Sequence, residues 1–390
     1  MPWKESTPVS ERMAFVTRLV GGERMTELCA EYGISRKTGY KFKDRYETLG
    51  PAGLYEISRR PKNSPGRTPI EVQLLLIAAR RAHPTWGPRK LVAIVARSHR
   101  DVMLPAPSTV GGILARAGLV KPRRRRNRMT RLGVSRSEAL GPNDIWCADY
   151  KGQFRLGNGR YCYPLTVTDQ ASRYILACEG FEAIDGSTAR AVFDDRFGRY
   201  GLPVAIRTDN GAPFASTGLF GLTRLSAYWL KLGIALERID PGKPQQNGRH
   251  ERMHRTLKHE TTRPAAATLL GQQERFDTWV STFNETRPHE ALGQEAPATV
   301  YKASPRAYVP SGTTDYPLHD EVRRVSPSGH IRLLRGRNRA TYLSPAIGGE
   351  RVGIRELEDG SWLVSFASLD LGRIDPRTMT LIAADHDATT

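Results

Sequence analysis

Residues 145–154 read IWCADYKGQF, and this stretch, together with the segments that follow it, decides the fold. Its apolar residues predict a strand, and two more short apolar runs follow it across turns, the first at Gly157-Asn158-Gly159. Helix and strand patterns then alternate. The predicted strands cover residues 145–154, 161–168, 174–178, 204–208 and 235–239, and the predicted helices cover residues 187–200 and 219–232. Three strands followed by alternating helix and strand predict a mixed five-stranded α/β sheet with helices on its faces.

Three acidic residues have the context of a metal-dependent active site. Asp149 lies in the first predicted strand, Asp209 ends the fourth in IRTDNGAPF, and Glu251 lies in the predicted helix NGRHERMHRTLK. The first and fourth strands are neighbours in such a sheet, so the three carboxylates are expected to converge. Without a cation they would repel each other, whereas Mg²⁺ takes oxygen ligands. We therefore predict that all three residues are catalytic and bind two Mg²⁺ ions, with Mn²⁺ as the substitute, for displacement at phosphorus.

Polar residues around these acids are candidates for DNA contact. Arg255 and Lys258 share a helix face with Glu251, so they are predicted to contact phosphates. Asn210, Gln245 and Asn247 lie in loops that suit a grip on DNA, although plain turns explain them equally well. His254 is expected either to contact DNA or to fill the surface. Asp169 is expected to be structural.

Most of the excess positive charge lies at the N-terminal end. The chain has 390 residues and a formal charge of +19, and residues 1–142 contain 28 Lys and Arg against 11 Asp and Glu. Such a charge predicts a polyanionic partner. Met25, Leu28, Cys29 and Tyr32 form an apolar helical stripe, Gly33 supplies a turn and Ser35 caps a second helix.

The helix after Ser35 is predicted to read DNA. It carries four basic residues that we assign to DNA binding: Arg36, Lys37, Lys41 and Lys43. A helical hairpin with a solvated basic face is the alternative for this segment alone. A second helix-turn-helix pattern follows, and two modules in tandem favour DNA as the partner.

The remaining composition shifts divide the chain into domains. The predicted boundaries are 1–60 and 61–120 for two all-α helix-turn-helix modules, 121–142 for a basic linker, 143–301 for the α/β domain, 302–317 for a linker and 318–383 for a small all-β barrel. Four consecutive arginines in the basic linker are predicted to contact phosphates: Arg123, Arg124, Arg125 and Arg126. A solvated spacer is the alternative.

Several classes of protein are excluded by composition. No apolar run approaches the length of a membrane span, the first ten residues lack the apolar centre of a secretory signal, and no GxxxxGK[ST] sequence occurs. We therefore expect a cytoplasmic, nucleoid-associated protein with no membrane partner and no nucleotide cofactor. The four cysteines show no CxxC spacing and are expected to be reduced.

These motifs together resemble the DDE transposases and integrases of the retroviral-integrase type, in particular single-reading-frame bacterial insertion-sequence transposases. The resemblance rests on Trp146-x-x-Asp149, on the run Thr208 to Gly211, on Glu251 in ER-x-HRTLK, and on Asn284 with Arg287-Pro288-His289. It implies a ribonuclease H-like core in which Asp149, Asp209 and Glu251 bind the metal ions.

The resemblance also implies a reaction and partners. These are cleavage at the terminal inverted repeats of a mobile element, strand transfer into target double-stranded DNA, and a dimer or tetramer that holds the ends in a synaptic complex. Two alternatives stay open: a catalytically inactive DNA-binding regulator derived from a transposase, and an RNase H-like structure-selective nuclease.

Overall fold

The structure is a computed structural model. It describes residues 7–58, 66–120, 138–150, 152–239, 248–310, 314–333 and 340–384. The chain divides into two compact units, residues 1–67 and residues 68–390. No helix among the described residues is long and apolar enough to cross a membrane.

The first unit contains a three-helix module, which we call the first helical module. Its helices are α1 (Pro8–Val20), α2 (Met25–Glu31) and α3 (Arg36–Leu49). Ser35 caps α3 as predicted, since its hydroxyl accepts from the backbone N–H of Thr38 at 3.2 Å. Helix α1 was not among the sequence predictions, and it contributes the buried Phe15 and Val16 to the core beneath Leu28 of α2.

Gly39 explains how closely α2 and α3 approach. A Cβ at this position would lie 2.6 Å from Met25 Sδ and 2.8 Å from Cys29 Sγ, both on α2. A larger residue at this position would therefore require the side chains of Met25 and Cys29 to shift.

The second unit begins with another three-helix arrangement, the second helical module. It comprises α4 (Ile70–Ala82), α5 (Pro88–Ser98) and α6 (Pro107–Arg116). Leu76, Leu91 and Val110 are fully buried, one from each helix, and Trp86 is 2% exposed in the same apolar core.

The central domain is built on a mixed sheet. Its strands are β1 (Ile145–Tyr150), β2 (Phe154–Arg155), β3 (Tyr161–Asp169), β4 (Ile175–Phe181), β5 (Ala205–Thr208) and β6 (Ala235–Arg238). Strands β4, β3 and β1 are antiparallel neighbours, and β1, β5 and β6 run parallel. The predicted mixed α/β sheet is confirmed, but the first predicted strand was too long. It ends at Tyr150, and the two-residue β2 pairs separately with β3, so the sheet has six strands.

Helices cover this sheet and bury its core. They are α7 (Gly186–Tyr200), α8 (Arg224–Lys231), α9 (Gly248–Thr261), α10 (Leu269–Ser281) and the short α11 (Pro297–Val300), with a π-helical turn at Thr282–Thr286. Trp146 of β1 packs against Phe197 of α7. Asn284 holds the π-helical turn to β4, because its side-chain amide bonds both the N–H and the C=O of Ile175 at 2.9 Å.

The C-terminal strands form an open sheet. The strands are β7 (Glu321–Arg324), β8 (His330–Arg332), β9 (Ala340–Tyr342), β10 (Arg351–Glu356), β11 (Trp362–Phe366), β12 (Leu369–Ile374) and β13 (Leu381–Ala383). Within the described residues the order is β13-β12-β11-β10-β7, with β8 and β9 as a separate hairpin. This region therefore contains strands, as an all-β domain requires, but the predicted closure into a barrel is not confirmed. Leu222, Ala227 and Leu230, at and near α8, share the apolar core of these strands.

Candidate metal and DNA-processing site

Asp149 and Asp209 lie at the ends of two neighbouring parallel strands. Ile145 pairs with Ala205 and Cys147 with Arg207, so the same register continued by two residues sets Asp149 level with Asp209. Both side chains are half-buried. The first and fourth predicted strands, β1 and β5, are therefore neighbours, as expected. Asp149 and Asp209 lie close together because the two strands are adjacent in the sheet, although the residues are far apart in the sequence.

The loop after β5 holds Asp209 in place. The backbone N–H of Gly211 donates to Asp209 Oδ1 at 3.1 Å, and Asn210 Nδ2 donates to the carbonyl of Ile239 at 2.9 Å. Asn210 therefore has a structural bond, although its side chain is exposed. Beneath the loop, the buried Arg207 of β5 pairs with Glu237 of β6, with Nη2 and Oε2 2.7 Å apart.

A buried network of hydroxyl and imidazole groups supports Asp149. Thr166 lies opposite Asp149 in the β1–β3 pair, so both side chains point to one face of the sheet. The Thr166 hydroxyl is 3.1 Å from the carbonyl oxygen of Asp149, 2.8 Å from His250 Nε2 and 2.6 Å from His254 Nε2. Both histidines come from α9, so this network attaches the helix to the strand pair beneath it.

The protonation pattern of this network follows from its hydrogen bonds. A carbonyl oxygen can only accept, so the Thr166 hydroxyl gives its one hydrogen to Asp149, and both imidazoles therefore donate from Nε2 to Thr166. His250 Nδ1 then accepts from the Thr168 hydroxyl at 2.8 Å. His254 Nδ1 faces Asp149 Oδ2 at 3.6 Å.

Sequence reasoning missed these two histidines. His254 was expected on the surface or on DNA, but it is 4% exposed, and His250 is 2% exposed. The available signal was their spacing, since residues four apart on a helix share a face. That face carries Met253 and Leu257 into the core as well, which explains why His254 is buried.

These residues differ in their fitness as metal ligands. Asp149, His250 and His254 offer ligand atoms within 4.8 Å of one another. Both ring nitrogens of His250 already bond threonine hydroxyls, however, so this imidazole presents no free lone pair to a cation. At the strand ends, Asp149 and Asp209 carry carboxylate oxygens, and oxygen ligands suit Mg²⁺ or Mn²⁺.

Glu251 follows His250 in the first turn of α9, and its side chain is exposed. Because His250 bonds Thr166, this turn of α9 lies beside the strand pair that carries Asp149. Arg255 and Lys258 are also exposed on α9, as a role in contacting phosphates requires.

Two other titratable groups near β1 are structural. Asp169 is 1% exposed and accepts from the N–H groups of Asn143 and Ser172, both at 2.7 Å. Burial raises the pKa of Asp169, against the lowering effect of the Ser172 hydrogen bonds. Burial also raises the pKa of Cys147 to about 12, so this thiol stays protonated and is no nucleophile.

The remaining candidate residues lie elsewhere. Arg36, Lys37 and Lys41 are exposed on α3, while Lys43 is half-buried and pairs with Glu47 at 3.6 Å. Several predicted DNA contacts lie outside the described residues: Arg123, Arg124, Arg125, Arg126, Gln245 and Asn247.

Family models match both the sheet and the helical modules. Two models of the integrase core domain match residues 139–244 and 232–297. A helix-turn-helix domain model matches residues 11–62, and a homeodomain-like domain model matches residues 38–114. The fold and these matches define the class: an integrase-core protein with helix-turn-helix DNA-binding domains.

Two curated relatives narrow the class. Over 217 residues the chain is 30% identical to the insertion element IS407 uncharacterized 31.7 kDa protein of Burkholderia multivorans. The aligned region covers 55% of this chain and 74% of the relative. Over 158 residues it is also 30% identical to the insertion element IS476 uncharacterized 39.2 kDa protein of Xanthomonas euvesicatoria, and this region covers 40% of this chain and 44% of that relative. The chain belongs to the integrase-core family of insertion-element transposases.

Solved structures give a weaker likeness. One of them is the catalytic core domain of HTLV-2 integrase in complex with magnesium, which is 16% identical to this chain with a TM-score of 0.34. The superposed region covers 42% of this chain and 99% of the integrase chain. The fold assignment therefore rests on the strand order and the family models.

Proposed function

We propose that the chain binds the terminal inverted repeats of an insertion sequence and catalyses Mg²⁺-dependent strand cleavage and strand transfer with Asp149, Asp209 and Glu251. The observation that carries this proposal is the parallel β1–β5 register, which brings the ends of two acidic strands level with each other. The hydrogen bonds from His250 to Thr166 and Thr168 also attach the first turn of α9, which contains Glu251, to strand β3.

The three carboxylates are the residues that would hold the metal. Two bound Mg²⁺ ions would supply Lewis-acid activation of the attacking oxygen and stabilisation of the leaving oxygen. Oxygen donors match this cation, and Mn²⁺ can replace it with the same ligands.

The chain's own groups position these carboxylates and the DNA. Gly211 orients Asp209 through its N–H, and Thr166 anchors the backbone of Asp149. Arg255 and Lys258 bind phosphates on the exposed side of α9, and α3 binds the element end through Arg36, Lys37 and Lys41. No side-chain nucleophile is required, because water and then the freed 3′-hydroxyl of the DNA attack phosphorus. A dimer or tetramer brings two ends together.

The experiment combines the purified chain with duplexes that carry the inverted repeats flanking its coding sequence. Cleavage and joining to a target plasmid are measured in Mg²⁺ and in Mn²⁺. We expect Asp149→Asn and Asp209→Asn each to lower both rates by about 10³-fold or more, because each removes a metal ligand. The matched control is Asp195→Asn, whose carboxylate pairs with Arg199 on α7.

The same assay separates the alternatives. Sequence-specific binding without cleavage by the wild-type chain would indicate a DNA-binding regulator. Cleavage that ignores the repeats and follows branched structure would indicate a nuclease. Unchanged rates in Asp149→Asn would contradict the proposed mechanism.

A further inference from the structure

Glu260, near the C-terminal end of α9, joins the second helical module to the central domain. Within the central domain it accepts hydrogen bonds from Trp279 Nε1 at 2.8 Å and from Arg287 Nη1 at 2.9 Å. From the second helical module, the Thr85 hydroxyl donates to the same carboxylate. We call these four residues the Glu260 cluster. The side chains of Glu260 and Arg287 are 18% and 10% exposed, so the pair is shielded from solvent.

An aromatic contact extends the cluster into the core of the module. The guanidinium carbon of Arg287 lies 5.9 Å from the centre of the Trp86 ring. Trp86 is buried in the apolar core of the module, and the ring of His83 stacks on it at 3.8 Å. A cation beside an indole ring is a favourable contact when it is shielded from water. The same guanidinium thus contacts both sides of the interface.

Helix α5 contributes its basic side chains to this interface. Arg89 pairs with Glu290. Arg97 Nη2 lies 3.0 Å from Glu295 Oε2 and 2.7 Å from the carbonyl oxygen of Gln294. These arginines face carboxylates of the same chain, so α5 is not the helix that presents free positive charge to DNA.

Helix α6 has the opposite arrangement. Val110, Ile113 and Leu114 are buried against the module core, while Ser108, Thr109 and Arg116 are exposed. The last helix of a helix-turn-helix module is the one that enters the major groove, with its N-terminal residues at the base edges. With α5 docked, α6 has the solvent-facing surface that this role requires.

We propose that the Glu260 cluster and the ion pairs of Arg89 and Arg97 are both needed to hold the second helical module in a fixed position on the central domain, so that duplex DNA bound by α6 reaches the Asp149–Asp209 edge at one set distance. This inference rests on the function proposed above and extends it. The cluster and the two ion pairs act as positioning groups: they determine which phosphodiester bond reaches the carboxylates, but they do not contact that bond.

The test reverses the two outer ion pairs and leaves the buried cluster intact. The variant Arg89→Glu/Arg97→Glu sets carboxylates against Glu290 and Glu295, and adding Glu290→Arg/Glu295→Arg restores both pairs with opposite polarity. The matched control is Arg160→Glu/Arg199→Glu. It makes the same change in charge at two surface pairs that lie wholly inside the central domain, Arg160 with Glu182 and Arg199 with Asp195.

The first readout needs no DNA. Spin labels are attached to cysteines introduced at Met103 in the second module and Leu270 on α10, which are 93% and 74% exposed. Electron spin resonance then gives the distribution of distances between them in the full chain. We expect a narrow distribution in the wild type, the control and the restored variant, and a broad one in Arg89→Glu/Arg97→Glu.

The second readout is the position of the cut on duplexes that carry the element ends, scored per bound complex. We expect Arg89→Glu/Arg97→Glu to lower the fraction cut at the wild-type bond by about 10-fold, because even a small displacement of a reacting group strongly lowers the reaction rate. The restored variant is expected to regain the wild-type position. A distribution that stays narrow in the double variant, or a cut position that stays fixed when the distribution is broad, would overturn the inference.

The two readouts separate this inference from the proposed function. A wild-type chain that cuts no element end would contradict the function, while the distance measurement would still decide whether the ion pairs hold the module in place.

Discussion

The two helical modules have the same three-helix plan but use their basic residues differently. In the first module, Arg36, Lys37 and Lys41 of α3 project into solvent. In the second, Arg89 and Arg97 of α5 pair with carboxylates of the central domain. The first module also has its own compact unit, whereas the second belongs to the unit that contains the mixed sheet.

This difference shows that positive charge in the sequence does not by itself locate a DNA-binding surface. A basic side chain is available to phosphates only when its own chain leaves it unpaired. The first module therefore has the features of a DNA reader that acts on its own, and the second those of an arm attached to the central domain.

Breaking the ion pair at the interface is expected to cost the most stability. Arg287→Met leaves Glu260 buried without its cation, so the free energy of unfolding of residues 68–390 should fall by about 3–5 kcal/mol. Denaturant titration followed by tryptophan fluorescence measures it, because Trp86, Trp146, Trp229, Trp279 and Trp362 all lie in that unit.

The matched variant in the first module is Arg18→Met, which breaks pairs with Glu23 and Glu31 on the surface. Solvent screens such exposed pairs, so we expect no measurable change in the unfolding of residues 1–67 by circular dichroism. Equal losses in both variants would contradict the contrast between the modules.

DNA affinity should depend on α3 and much less on α5. Arg36→Ala/Lys37→Ala/Lys41→Ala removes three cations that are predicted to bind DNA and release counterions from it, so affinity for a labelled duplex should fall about 10²-fold near 0.1 M salt. The slope of log affinity against log salt should fall by about 3. Arg89→Ala/Arg97→Ala should leave the slope within about 1 of the wild type, because these arginines already face carboxylates. Fluorescence anisotropy over a salt series provides both numbers.

The interface should weaken as the pH falls from about 10.5 to about 7, because of Lys90. Burial is the main reason that the pKa of Lys90 is lowered to about 7, and the nearby charge of Arg287 lowers it as well. Glu260 acts in the opposite direction and raises this pKa. His289 also lies near this lysine. Between about pH 7 and the ordinary lysine pKa of 10.5 the unfolded chain binds more protons, so stability rises with pH in that window.

Lys90→Met should remove this slope and raise the free energy of unfolding of residues 68–390 by about 1–2 kcal/mol at pH 7, after discounting for partial exposure. Denaturant titrations of both proteins at several pH values measure the difference. The same slope in Lys90→Met would show that another group is responsible.

The smallest expected effects have opposite signs in the two modules. Gly39→Ala on α3 should destabilise the first module by about 1–2 kcal/mol, since the new Cβ meets Met25 and Cys29. Gly111→Ala on α6 has only Pro88 Cγ at 3.8 Å, so better helix propensity should stabilise the second module by about 0.5–1 kcal/mol. Hydrogen exchange of the α3 and α6 amides measures each change, and effects of the same sign would show that the two helix crossings do not differ in this way.

Much of the fold could be predicted because it follows from local patterns. Apolar runs separated by turn residues located the principal strands of the sheet, and strand order then brought the ends bearing Asp149 and Asp209 together. The sequence predicted a small all-β barrel over residues 318–383 but did not locate strands β12 and β13 within it. The connection between β11 and β12 uses Ala367 at a positive φ of 52°, where a glycine or asparagine would have marked the turn.

The sequence by itself determined the periodicity of the elements, the concentration of charge in the first third of the chain and the acidic residues at the ends of β1 and β5, because each depends on near neighbours. Only the tertiary structure decided that His250 and His254 support Asp149, and that Thr85 and Glu260, 175 residues apart, share a hydrogen bond. Burial and pairing depend on which surfaces pack together, and residues distant in the chain acquire these properties only when it folds.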